Sequence, residues 1–122
     1  MKVLIIDDEP LVRRSLARAL SQKGHQVLEA SDGLSGLALW REVLPDLVFL
    51  DVLMPGLTGP QILNELELNL RQQTKIILIS AFAGEHNPET AQRLGADCFI
   101  PKPFEDIFAV VKVAEDLQKD KI

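Results

Sequence analysis

Five short apolar runs limit what this chain can fold into. "KVLII" (2–6), "QVLEA" (26–30), "LVFL" (47–50), "KIILIS" (75–80) and "CFI" (98–100) have strand length, and stretches of helical period separate them. Most are continuous and rich in β-branched residues, as strands covered on both faces are. "QVLEA" is more polar and suits a sheet edge. After the first run, Pro10 fits a first helical turn, and Val12, Leu16, Ala19 and Leu20 recur at helical spacing up to Gly24. Ser31, Asp32 and Gly33 read as a turn, and Leu34, Leu37, Ala38 and Arg41 define a second helix ending before Pro45. Thr58 caps a third helix with Ile62, Leu63, Leu66 and Leu70 on one side. Asn87 and Pro88 read as cap and first position of a short fourth helix that stops at Gly95. Ile107, Val110, Val111, Ala114 and Leu117 give a closing amphipathic helix. Five strands alternating with five helices predict an open, doubly wound parallel sheet with helices on both faces.

A length of 122 residues allows one domain, with the terminal "KDKI" expected to fray. The net charge of −5 argues against a phosphate-backbone binder, so no direct nucleic-acid contact is expected. The densest basic patch, Arg13 and Arg14 with Arg18, reads as a solvated helix face. A lone Cys98 has neither a disulfide partner nor metal-ligand companions and suits a reducing, cytoplasmic setting. No apolar run approaches the roughly 20 residues that cross a bilayer.

The polar residues gather at the carboxyl ends of the strands. The first strand runs into Asp7 and Asp8, the third into Asp51 and the fourth into Ser80, while Lys102 and Pro103 follow the fifth. In open α/β sheets the functional crevice lies at those ends, where strand order reverses. With the order 2-1-3-4-5, strands one and three are neighbours there, and Asp7, Asp8 and Asp51 share one cleft. Crowded carboxylates raise one another's pKa unless a cation intervenes. An all-oxygen donor set suits Mg²⁺, and Lys102 supplies a further positive charge. A carboxylate beside Mg²⁺ and a lysine is poised to attack phosphorus. Asp51 stands alone at its strand end and is the acceptor this reading favours; the Asp7–Asp8 pair would hold the metal. Ser80 offers a hydroxyl to a phosphoryl oxygen. Each residue also has a plainer reading, as a turn, a helix-start charge or a solvated loop lysine. Their convergence from four strand ends is what those readings do not predict.

The blocks "VLIIDDEP", "LVFLDVLMPGLTG", "LISAF" and "GADCFIPKPF" resemble the signatures of the response-regulator receiver domain of two-component signalling, of the chemotaxis-regulator kind. The likeness runs from Lys2 to about Gln118, with 43 residues from Asp8 to Asp51, 29 on to Ser80 and 22 on to Lys102. It implies a flavodoxin-like (βα)5 fold and makes Asp51 the phosphoacceptor. Asp8 becomes a direct Mg²⁺ ligand and Asp7 a direct or water-mediated one, with Mn²⁺ as a substitute ion. Leu53 contributes its backbone carbonyl, Ser80 is the switch hydroxyl, and Lys102 pairs with phosphate ahead of a cis Lys102–Pro103 bond. Phe99 takes the switch-aromatic position without the hydroxyl of a Tyr. The implied partners are a sensor histidine kinase or histidine phosphotransferase, and an output domain or effector reached through the fourth helix, fifth strand and fifth helix. A phosphorylation-dependent homodimer is compatible with this. Apolar Leu53 and Phe82, two positions after Asp51 and Ser80, imply slow autodephosphorylation.

Two other classes fit less well. A haloacid dehalogenase-like phosphohydrolase needs an acid two residues after its nucleophile, where "IIDDEP" has adjacent Asp residues. A flavin or nucleotide module needs a Gly- or hydroxyl-rich first loop, where this chain has "DDEP". A receiver fold used as a phosphorylation-independent docking module is the third alternative.

Overall fold

The structure is a computed structural model that describes residues 1–81 and 88–119. Asn87, Phe82 and the last three residues of the expected frayed tail lie outside the described residues. Five parallel strands form one sheet in the order β2-β1-β3-β4-β5, with β1 at Lys2–Ile6, β2 at Gln26–Ala30, β3 at Leu47–Asp51, β4 at Lys75–Ser80 and β5 at Cys98–Pro101. The more polar β2 lies at an edge. Helices α1 (Pro10–Gln22) and α6 (Ile107–Lys119) cover one face. Helices α2 (Gly33–Val43), α3 (Gly59–Glu65), α4 (Leu68–Gln72) and α5 (Pro88–Arg93) lie along the rest of the chain.

The two-residue period of the strands divides the core. Val3, Ile5, Leu47, Phe49, Ile77 and Ile79 point to α1 and α6, where Leu16, Leu20, Val110, Val111 and Ala114 meet them. Leu4, Ile6, Val48, Leu50, Ile76 and Leu78 point the other way, onto Leu37, Trp40, Ile62 and Leu63. Every residue of β3 is buried, so its apolar run had to be continuous rather than alternating. Each large side chain buried here contributes roughly 1.5–3 kcal/mol of transfer free energy, which makes β3 the axis of the domain.

Two helices differ from the expectation. On α2 the buried residues are Gly33, Gly36, Leu37 and Trp40, whereas Leu34 is 69% exposed and Ala38 and Arg41 face solvent. The glycines set that choice: a Cβ on Gly36 would lie 2.7 Å from Ile6, so the helix seats against β1 on its smallest residue. The single third helix is instead two. Leu66 and Glu67 are extended (ψ 136° and 138°), and Leu66 drops into the core. Arginines take the carbonyls freed at the break: Arg71 donates to Leu63 O at 3.1 Å and Arg41 to Glu65 O at 3.0 Å. The apolar spacing of Ile62, Leu63, Leu66 and Leu70 is the same with or without this break.

The start of α3 is tied to the end of β3. Thr58 caps it with a complete capping box to Gln61, and the Gly59 N–H donates to Val52 O at 3.0 Å. A Cβ on Gly59 would stand 2.7 Å from the carbonyl oxygen of Asp51. Backbone cannot step aside as a flexible side chain can, so Gly59→Ala is expected to cost roughly 1–3 kcal/mol in urea denaturation. A loss below about 0.5 kcal/mol, within the range of an ordinary surface substitution, would contradict this packing.

Candidate functional site

Adjacent β1 and β3 end side by side and deliver Asp7 and Asp51 to one cleft. Both are buried, Asp7 completely and Asp51 at 2% exposure. Ser80 closes β4, also fully buried, and the Lys102 N–H donates to its carbonyl at 2.8 Å, which anchors the loop after β5. From there the Lys102 ammonium reaches across the sheet end. Its Nζ lies 2.6 Å from Glu9 Oε1, 3.1 Å from Asp7 Oδ2 and 3.3 Å from Asp51 Oδ2. The cleft, of about 240 Å³, is lined by Asp8, Glu9, Asp51, Leu53, Ser80, Ala81 and Lys102.

Burial dominates the electrostatics. Loss of solvent, then the negative charge of Asp7, pushes the Asp51 carboxyl up to about 7; Lys102 opposes this, and a hydrogen bond with Asp8 adds to it. Burial alone would lower the Lys102 ammonium. The hydrogen bond to Glu9 and the charges of Asp51 and Asp7 outweigh it and raise that pKa above its ordinary value. One ammonium therefore serves several carboxylates without neutralising them. Asp7, Asp8, Glu9 and Asp51 can each place an oxygen within 4.8 Å of the others. That donor set, oxygen only and anionic beyond what Lys102 balances, fits a hard divalent cation.

The surroundings hold these groups in place. Asp7 Oδ1 accepts the Glu9 N–H at 2.8 Å, and its carbonyl accepts Arg13 at 2.8 Å. Arg13 also pairs with Glu29 at 3.1 Å, so it braces the first loop and is not part of a solvated basic face, although Arg14 and Arg18 are exposed. The Leu53 N–H donates to Asp51 Oδ1 at 3.4 Å, and the Leu53 side chain is 47% exposed. The Lys102–Pro103 peptide bond is cis. Phe99 is half-buried and packs beside the α2–α3 core. It is paired in register with Leu78, two residues before Ser80. Glu9, which the strand-end pattern does not single out, makes the shortest contact to Lys102. Its signal was the third consecutive acid in "DDE", which a helix start also explains.

The fold and this cleft define a doubly wound α/β domain with an anionic, lysine-bearing centre at its switch point. The family model of the response regulator receiver domain matches residues 3–113, and the chain belongs to that family, the receivers of two-component systems. Among curated proteins it is similar to the probable transcriptional regulator ycf27 of Guillardia theta, with 39% identity over 103 residues, 84% of this chain and 40% of that protein. It is also similar to the protein PilH of Pseudomonas aeruginosa, with 34% identity over 106 residues, 86% of this chain and 88% of PilH. Among solved structures, the receiver domain of the Francisella response regulator 1452 superposes with a TM-score of 0.87 at 26% identity, covering 99% of this chain and 98% of that one. The chain spans less than half the length of the ycf27 protein.

The raised Asp51 pKa has a consequence for stability. Unfolded, this carboxyl ionises near 3.8; folded and metal-free, it ionises near 7. Between those values the folded state holds the extra proton, so stability falls as pH rises through the window and the penalty is complete above it. Asn cannot ionise. Asp51→Asn is therefore expected to exceed the parent by roughly 1–4 kcal/mol in metal-free urea denaturation at pH 8. The gap should close near pH 4. A variant no more stable than the parent at pH 8 would contradict the electrostatics described.

Proposed function

We propose that the chain is the phosphoacceptor of a two-component pathway, taking a phosphoryl group onto Asp51 from the phosphohistidine of a sensor histidine kinase or histidine phosphotransferase. The observation that carries this reading is a buried carboxylate at a strand end with the Lys102 ammonium 3.3 Å away, open to a cleft of phosphoryl size. An Asp51 carboxylate oxygen attacks phosphorus; the new P–O bond forms as the P–N bond breaks, and the imidazole departs with the bonding pair. Lys102 stabilises charge on a phosphoryl oxygen, and Ser80 offers its hydroxyl to another. Asp7, Asp8, Asp51 and the Leu53 carbonyl are the groups that would hold Mg²⁺, with Mn²⁺ as a substitute. When bound, the ion supplies a second positive centre against the phosphoryl charge.

Phosphorylation then shifts a population. Ser80 and Phe99 stand on adjacent strands, with Phe99 in register two residues short of Ser80, so inward movement of one opens space beside the other. Phe99 carries no hydroxyl, and its response rests on packing. The surface it would alter is made by α5, β5 and α6, which a five-helix count numbers as the fourth helix, fifth strand and fifth helix. Where β5 meets α6, Ile100, Pro103, Phe104 and Val113 line a hollow of about 340 Å³ together with Glu105 and Asp106, a surface for an output domain, an effector or a second copy in a phosphorylation-dependent homodimer. We infer no direct nucleic-acid contact for these 122 residues, given their net charge of −5. Among the described residues no helix is long and apolar enough to cross a membrane.

Incubation with acetyl phosphate, followed by intact mass measurement, tests the chemistry. The parent is expected to gain one phosphoryl group in the presence of Mg²⁺ and none without it, and Asp51→Asn to gain none. An adduct that persists in Asp51→Asn would overturn the assignment. The same assay measures the lifetime of the adduct. An apolar, half-exposed Leu53 at the cleft mouth offers no hydrogen bond to an attacking water, so Leu53→Asn is expected to shorten the half-life severalfold. An unchanged half-life would count against that role.

A further inference from the structure

We propose that Glu9 is a latch on Lys102, a positioning residue that occupies the ammonium before phosphorylation and competes with an arriving phosphoryl oxygen for it. The inference deepens the phosphoacceptor reading and rests on it. A lysine ammonium has three N–H donors. Here all three have carboxylate partners, in Glu9 at 2.6 Å, Asp7 at 3.1 Å and Asp51 at 3.3 Å. A phosphoryl oxygen can therefore pair with Lys102 only if one partner gives way.

The three are not equally able to do so. Asp7 is fully buried, accepts the Glu9 N–H and carries Arg13 on its carbonyl, so its displacement would strand a charge away from water. Asp51 carries the incoming group, so its donor can pass to one phosphoryl oxygen; a contact made while Asp51 is still a free carboxylate, or a second one afterwards, needs the donor that Glu9 holds. The Glu9 side chain is 55% exposed and can exchange the ammonium for water. Its backbone stays behind: the N–H is held by Asp7 Oδ1, and the carbonyl accepts the Arg13 N–H at 3.0 Å, the first turn of α1. Rotation of the side chain alone releases Lys102, with no unwinding of α1 and no break in the sheet. Glu9 thus competes with the incoming group, making each phosphorylation event slightly harder and keeping Lys102 placed while it waits.

The probe is beryllium fluoride, a phosphoryl mimic that needs no donor, titrated by calorimetry at saturating Mg²⁺ against the parent, Glu9→Gln and Glu9→Asp. Gln removes the charge at constant length, and Asp keeps the charge but shortens the reach. A half-exposed ion pair sets the scale, so both variants are expected to bind the mimic roughly two- to fivefold more tightly. Mg²⁺ affinity is measured separately and the mimic titrated at Mg²⁺ saturating for each variant, so that any part Glu9 takes in the cation site is kept apart from the latch. Initial rates with subsaturating acetyl phosphate should rise in parallel. Unchanged or weakened mimic affinity in both variants would overturn the latch. A parent that forms no adduct at Asp51 would overturn the phosphoacceptor reading and the latch together. An adduct that Glu9→Gln and Glu9→Asp leave unaltered would overturn the latch alone.

Discussion

The ammonium of Lys102, set among Asp7, Glu9 and Asp51, is the interaction on which the rest of this structure depends. Carboxylates do not gather in a nearly dry cleft unaided: desolvation and mutual repulsion both oppose it. A single lysine offsets part of that cost, and the raised Asp51 pKa measures what is left over. The sheet order is what makes the arrangement reachable. With β1 and β3 adjacent, Asp7 and Asp51 start as neighbours, and the Lys102 backbone is anchored to Ser80 at the end of intervening β4. The fold thus brings the ends of β1 and β3 to one ammonium carried from the end of β5, and leaves an anionic surplus that a cation could neutralise.

That surplus links structure to function. A cleft fully neutralised by protein groups would be stable and inert toward a phosphoryl group. One that holds a buried carboxylate with too little positive charge around it gains when a cation arrives. Membership of the receiver family agrees with such a site.

Much of this was legible in the residues, for definite reasons. The strands were, because β1, β3 and β4 are buried on both faces and must therefore be continuously apolar. Asp7, Asp8, Asp51, Ser80 and Lys102 stood out because polar groups that end apolar strands have few other uses at one sheet edge, and all five meet in or beside the cleft. The α2 face was misread because leucine periodicity weighs Leu34 heavily and Gly36 not at all, whereas close approach to Ile6 selects the glycine. The break at Leu66 left no trace in periodicity, since Arg41 and Arg71, each remote or downstream in sequence, satisfy the freed carbonyls. Arg13 reads as part of a solvated helix face and Glu9 as a helix-start charge because their partners, Glu29 and Lys102, lie 16 and 93 residues away.

The most direct measurement of the central claim is a carbon-detected NMR titration of the Asp51 carboxyl in metal-free protein. The account predicts a midpoint near 7 that moves down when Mg²⁺ is added, as the repulsion from Asp7 and Asp8 is neutralised. A midpoint at the ordinary carboxylate value near 3.8, insensitive to Mg²⁺, would contradict it, because Asp51 would then be a solvated or fully compensated acid.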